Sequence, residues 1–291
     1  MVQAKPQPSG GEGSGGKRAP APQKPSSSWD TTQLLTVAGV VAVGLLFNFA
    51  GTSWAAERIN LVLSALGAMV VLDLAVSALL AGRGGSSDAI RWYLIHACGN
   101  FVVALASVAD TWTTLCYPAL CFSGPYALLP CALIPAIHVY HMIAFRCTSS
   151  DLFHHLLFAG LISPMGLFFE TGPVQNAVAF FICGLPGGVD YLMLALVKFG
   201  KMRPLDEKRV NTRINVWVRS PGLVLSAFCV LLGRFDVHAP AAVQERVPAW
   251  VALVGAALVA MNGQYYMQVV VGNTFLRTRA SGAGPKEAYN S

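Results

Sequence analysis

The chain has 291 residues, 54% hydrophobic and only 12% charged, with a formal net charge of +6 and a mean hydropathy of +0.54. Soluble domains carry about 25% charged residues, so an ordinary soluble globule is excluded. A chain-long disordered tail and a soluble nucleic-acid binder are excluded with it, despite the basic balance. The bilayer is the better ruler, and one all-α membrane domain is expected to fill residues 31–279.

Met1 to Ser28 is built from Pro, Gly, Ser, Gln and Lys. Such a segment buries too little apolar surface to offset its ordering entropy, so a disordered N-terminal tail is expected over 1–30. The first apolar run begins about thirty residues in, too late for a signal peptide, and reads as a retained anchor. Trp29 followed by Asp30-Thr-Thr gives that run an interfacial anchor and a helix start.

A spanning helix needs about 20 mostly apolar residues. By that measure there are eight candidate spans, near 33–53, 59–81, 91–109, 126–145, 152–169, 177–198, 217–235 and 248–272. Six spans fit as well if two of the weaker segments are re-entrant. Gly82-Arg-Gly-Gly-Ser-Ser-Asp88 is a turn between the second and third. With the N-terminus cytoplasmic, 17 of the 20 Lys and Arg residues fall on cytoplasmic segments. That asymmetry favours an even span number with both termini cytoplasmic. The basic connection 198–219 reads as a solvated loop, with contact to an anionic membrane surface as the alternative. A flexible polar tail is expected over 280–291.

Ionisable groups in the hydrocarbon cost about 2.5–3.5 kcal/mol each and are functional candidates by default. Asp73, His96, Asp110, His138, His141, His154, His155 and Asp190 lie in or at the ends of the spans. His138 and His141, three apart, share one helix face. Pro125, Pro130 and Pro135 favour bends in the same segment. Asp151 can cap the fifth helix, whose first turn then presents His154 and His155. Glu170-Thr-Gly-Pro-Val-Gln-Asn176 closes that helix in a turn. In the sixth span Cys183-Gly-Leu-Pro-Gly-Gly188 precedes Asp190 and reads either as a packing kink or as an unwound stretch exposing carbonyls.

The seven cysteines have no CxxC spacing. They suggest neither a disulfide scaffold nor a zinc site, although Cys116 and Cys121 share one short loop and are close enough in sequence to pair. A di-iron oxygenase needs more histidines than these and carboxylates beside them. Two facing histidines are enough for a bis-His haem, but no spacing here singles one out. No metal site and no bound cofactor are therefore expected.

Tyr140-His141, Asp151-Leu-Phe-His154-His155 and Glu170-Thr-x-Pro173-x-x-Asn176 together resemble the TLC (TRAM/LAG/CLN) domain family of multi-span membrane proteins. The matched stretch, about 138–192, is a fifth of the chain, and the surrounding spans fit a TLC-like core of about 90–275. The resemblance implies lipid chemistry in the endoplasmic reticulum or another internal membrane. The family's ceramide synthases transfer an acyl group from acyl-CoA to a lipid amine, with paired histidines as the catalytic candidates. By that resemblance His154 and His155 are base or acyl acceptor, Asp190 orients them, and His141 completes the catalytic set. His138, Asp110, His96, Glu170 and Asn176 are candidate lipid-binding residues. Two departures stand out. Ceramide synthases have Thr where this chain has Phe158, and they place two acidic residues in the next helix, where only Asp190 is found. His138-Val-Tyr-His141-Met is also similar to the fatty-acid elongase box, but Met142 stands in place of its third His.

The expected function is therefore acyl-CoA-dependent acyl transfer to a lipid amine or hydroxyl. The competing readings are a non-catalytic lipid-binding or lipid-regulating protein, and a transporter with a discontinuous sixth helix. The expected partners are membrane lipids and acyl-CoA as co-substrate, with no nucleic acid. A homo-oligomer is left open.

Overall fold

A computed structural model describes residues 29–82, 88–169, 171–236 and 247–280. Glu170, the residues of both expected tails apart from Trp29, Asp30 and Ala280, and most of the turn expected at 82–88 lie outside the described residues. The described residues form helices and connecting turns, with no strand among them.

Among the described residues eight long helices follow one another. They are α1 (Thr31–Phe49), α2 (Ser53–Ala81), α3 (Asp88–Cys116) and α4 (Leu129–Ala144), then α5 (Asp151–Phe168), α6 (Pro173–Lys198), α7 (Pro204–Phe235) and α8 (Ala249–Ala280). Two further helical residues, Ser149 and Ser150, precede Asp151. All but α4 and α8 are long and apolar enough to cross a membrane by length and composition. With 16 residues, α4 rises only about 24 Å, short of the ~30 Å hydrocarbon core. The 32-residue α8 carries Asn262 and Gln264 along its length, which lower its hydropathy.

Local chemistry sets the helix ends. Asp30 caps α1 by accepting from the Gln33 amide while the Gln33 side chain accepts from the Asp30 amide, both at 2.9 Å. Gln33 also donates to the Ile143 carbonyl at the end of α4 (2.9 Å), which fixes α1 against that helix. Between α5 and α6 the chain turns on Gly172 at φ +70°, where a Cβ would lie 2.7 Å from the Cys121 carbonyl oxygen. Only glycine fits both the backbone angle and the space.

One pair of alternatives is decided and one sequence expectation is corrected. The Pro-Gly-Gly segment of α6 is not unwound, because the helix passes through a π-helical turn at Phe180–Gly184 into Leu185–Lys198. The basic stretch 198–219 is not a solvated loop. From Pro204, in the first helical turn where its missing amide costs nothing, it is the start of α7. Glu207, Asn211 and Asn215 are buried there, with Arg219 next on the same i,i+4 stripe.

The centre of the bundle is α3, packed against α2, α4 and α6, while α7 pairs with α8 along its length. Ile95, Val103, Leu133, Ala136 and Ile137 form the dry core between α2, α3 and α4. Large apolar side chains on the outer faces, such as Leu46, Val71, Leu74 and Leu105, are exposed, as suits helices that face acyl chains.

Candidate functional site

The five histidines of the spans meet where α3, α4 and the first turn of α5 come together. On α4 the three-residue spacing puts His138 and His141 on one buried face. On α5 the adjacent His154 and His155 diverge by about 100° around the helix, so each takes a different partner. His138 Nε2 faces His154 Nε2 at 3.3 Å, and His155 Nε2 faces His141 Nδ1 at 2.7 Å.

Two of the outer ring nitrogens are held as well. His138 Nδ1 donates to the Ile134 carbonyl at 2.7 Å, so its Nε2 carries a lone pair in the neutral ring. His154 Nδ1 lies 3.0 Å from the Tyr266 hydroxyl of α8. Among the described residues, His155 Nδ1 and His96 Nδ1 are buried without a hydrogen-bond partner. Aromatic rings wall the cluster in. Trp92 stacks on His141 with centroids 3.9 Å apart, and Tyr191 stacks on His96 at 3.8 Å.

Two hollows meet at this cluster. A cavity of about 160 Å³ is lined by His96, His138, His154, Asp190, Arg219 and Tyr266, among others, and is rich in polar atoms. A cleft of about 570 Å³ lies between α1, α2, α4 and α5, from Thr32 and Leu35 to Phe47 and Phe168, and is apolar except for a few groups including His155. The histidines therefore stand between a polar chamber and an oily one.

Two walls of the polar chamber are built by departures from regular helix. The π-helical turns Phe180–Gly184 and Asn215–Arg219 contribute Ile182, Cys183, Asn215 and Arg219 to it, and such turns often accompany functional sites. Gly187 lets α6 approach α3 closely, since a Cβ there would lie 2.5 Å from Asn100 Nδ2. Asp190 accepts from Asn211 Nδ2 at 2.7 Å. Arg219 donates to the Ile182 carbonyl (3.1 Å) and to Asn262 Oδ1 (2.8 Å), which turns its charge toward α6 and α8.

His96, His138, His141, His154, His155 and Asp190 are thus brought to one place. Asp110 and Asn176 are not. Asp110 lies 14 residues along α3 from His96, a rise of about 21 Å. There it accepts from Asn176 Nδ2 (2.6 Å) and from the Ala127 amide (3.0 Å), while Asn176 also donates to the Ala127 carbonyl (2.7 Å). This knot fastens α3, α6 and the segment before α4 to one another. Asp73 is likewise engaged elsewhere, with Arg91 at 3.0 Å and the Tyr140 hydroxyl at 2.5 Å. The unpaired cysteines include Cys116, which is exposed, and Cys121, which is buried.

Sequence reasoning missed Trp92, Tyr191, Asn211, Asn215, Arg219 and Tyr266. The spacing 207, 211, 215, 219 is a polar stripe that marks a helix face, and it was the available signal. Nothing local marks the three aromatic residues.

No protein-family model, curated protein or solved structure matches this chain.

Proposed function

We propose that this chain is a multi-pass lipid-handling membrane protein of TLC type that transfers an acyl group from acyl-CoA to a lipid amine or hydroxyl. In this reading an even number of the helices, six to eight, cross an internal membrane such as the endoplasmic reticulum, with both termini cytoplasmic. One observation carries the reading. His155 lines the apolar cleft while its neighbours His138 and His154 line the polar chamber. An acyl tail lying in the cleft brings its carbonyl to the histidines, and the acceptor headgroup occupies the chamber.

The transfer balances without an outside reactant. The acceptor nitrogen or oxygen bonds to the thioester carbonyl carbon, the carbon–sulfur bond breaks, and the acceptor's proton passes to a base in the chamber and on to the departing thiolate. His96, His154 and Asp190 all border the space where that proton is released. The exposed basic residues Lys201, Arg203 and Arg213 near the start of α7 offer the CoA phosphates a landing surface.

The test is incubation of purified protein with labelled acyl-CoA and a mixture of lipid acceptors. A labelled lipid product that disappears in His154→Ala and His155→Ala, with folded protein still recovered, supports the transfer. A second reading, a non-catalytic lipid binder, is favoured by the mutual pairing of the histidines, 138 with 154 and 141 with 155. It predicts copurified lipid with no turnover of acyl-CoA.

A further inference from the structure

We infer that His138, His154 and His155 form a binding site for one divalent transition-metal ion of the zinc class, with an open fourth position facing the polar chamber. One ring nitrogen from each of these three residues lies within 4.8 Å of the other two. The His138 and His154 Nε2 atoms are 3.3 Å apart. Two nitrogens on one tetrahedral ion with bonds of about 2.05 Å are also separated by about 3.3 Å. That pair is spaced as ligands are, and a third nitrogen from His155 lies within 4.8 Å of both.

The outer nitrogens of all three rings are in place for this role. Metal-bound imidazoles typically donate their other N–H to a fixed acceptor. His138 Nδ1 does so to the Ile134 carbonyl, His154 Nδ1 reaches the Tyr266 hydroxyl, and His155 Nε2 reaches His141 Nδ1. With its Nε2 so engaged, the His155 ring has Nδ1 left to offer an ion, and among the described residues that nitrogen is buried without a hydrogen-bond partner. A buried ring nitrogen without a partner is unfavourable, and a cation supplies what it lacks. The alternative set, His141, Cys147 and His155, is less suited, because the 2.7 Å contact between its imidazoles is a hydrogen-bond distance.

Neutral imidazoles suit zinc and its neighbours in the first transition row. Three protein ligands with a fourth position open is the arrangement of catalytic rather than structural zinc. Asp190 in the same chamber offsets part of the charge. A cation there can polarise a carbonyl entering from the cleft, and His96 and Asp190 then remain as proton acceptors. The site uses the histidines of the acyl-transfer reading but stands without it, because occupancy is measured with no turnover.

The experiment uses the full chain in detergent micelles, stripped with a chelator, reloaded with Zn²⁺ and desalted before elemental analysis. About one Zn²⁺ per chain is expected for the wild type, and about a tenth of that or less for the His138→Ala/His154→Ala double variant. Tyr266→Phe, which keeps the ring, should bind Zn²⁺ about 10-fold more weakly or worse. If the double variant does not fold, Co²⁺ loading of the wild type decides. Intense visible absorption from a four-coordinate ion supports the site, and the weak spectrum of hydrated Co²⁺ overturns it. A wild type that retains no Zn²⁺, or a folded double variant that retains as much as the wild type, also overturns it. Metal bound without acyl transfer sinks the transferase reading alone.

Discussion

His155 Nε2 and His141 Nδ1 lie 2.7 Å apart, which fastens the first turn of α5 to α4 through one imidazole pair. His141 is itself pinned by Trp92, stacked at 3.9 Å. The His155 ring is therefore oriented by a residue that lines neither hollow. His141→Phe keeps the stack and removes the nitrogen. Loss of such an outer partner typically costs 10–100-fold in activity or metal affinity, and both labelled acyl transfer and Zn²⁺ retention should fall in about that range. Copurified lipid should not change, because the cleft wall is untouched. Transfer at the wild-type rate would show that His155 needs no such orientation.

The apolar cleft can be filled without disturbing the bundle. Gly39 lines it, and a Cβ at that position would meet nothing within 4 Å. Gly39→Leu should leave thermal stability within about 0.5 kcal/mol of wild type, as is usual for a substitution into open space. It should also reduce copurified lipid, or shift it to shorter chains, when extracts are compared by mass spectrometry. An unchanged lipid profile would mean that the acyl chain lies elsewhere.

What the sequence revealed and what it hid divide along the reach of the interactions. The start of α1 was legible because a capping box closes within four residues. His138 and His141 on one face followed from helical spacing alone. The meeting of His154 with Tyr266, 112 residues away, and the stacking of Tyr191 on His96 depend on how separate helices pack, which no local pattern encodes. In the stretch 198–219 charge alone does not distinguish a helix from a basic loop, and only the period does. Seven basic residues suggested a loop, while the i,i+4 stripe from Glu207 to Arg219 belongs to a helix that buries its polar face. Asp110 and Asn176 showed only that intramembrane polar groups need partners, and they proved to be each other's.

Cys121 tests the connection after α3. It is fully buried, with its thiol directed at the Cys229 carbonyl 3.6 Å away, whereas Cys116, its candidate disulfide partner, is exposed. Burial, and then the neighbouring Cys229, push the Cys121 thiol up to about 12. At pH 8 it should resist maleimide in the folded protein and react once denatured, while Cys116 is labelled throughout. The pH dependence follows from the direction of the shift. The unfolded thiol ionises near its ordinary value of 9.0 and the folded one only near 12, so the unfolded chain loses its proton first. This contribution to stability is present below pH 9 and is lost as the pH rises toward 12. Labelling of Cys121 as fast as Cys116 would contradict the burial.

Asn176→Ala separates a structural polar group from a substrate-binding one. The Asn176 amide donates to Asp110 at 2.6 Å and to the Ala127 carbonyl at 2.7 Å, in a place 0% exposed. Removing it leaves the Asp110 carboxylate with the Ala127 amide and one fewer donor. Hydrogen bonds to a charged group contribute about 1.5–3 kcal/mol, so a loss of about 2 kcal/mol is expected. Thermal unfolding in detergent should shift to lower temperature accordingly. Acyl transfer and Zn²⁺ retention per folded molecule should stay at the wild-type level, because Asp110 lies about 21 Å along α3 from His96. Asn176→Asp sharpens the comparison, since it keeps the shape but sets a second carboxyl against Asp110 and should be worse than alanine. A variant that stays as stable as wild type yet loses lipid binding would return Asp110 and Asn176 to the lipid site.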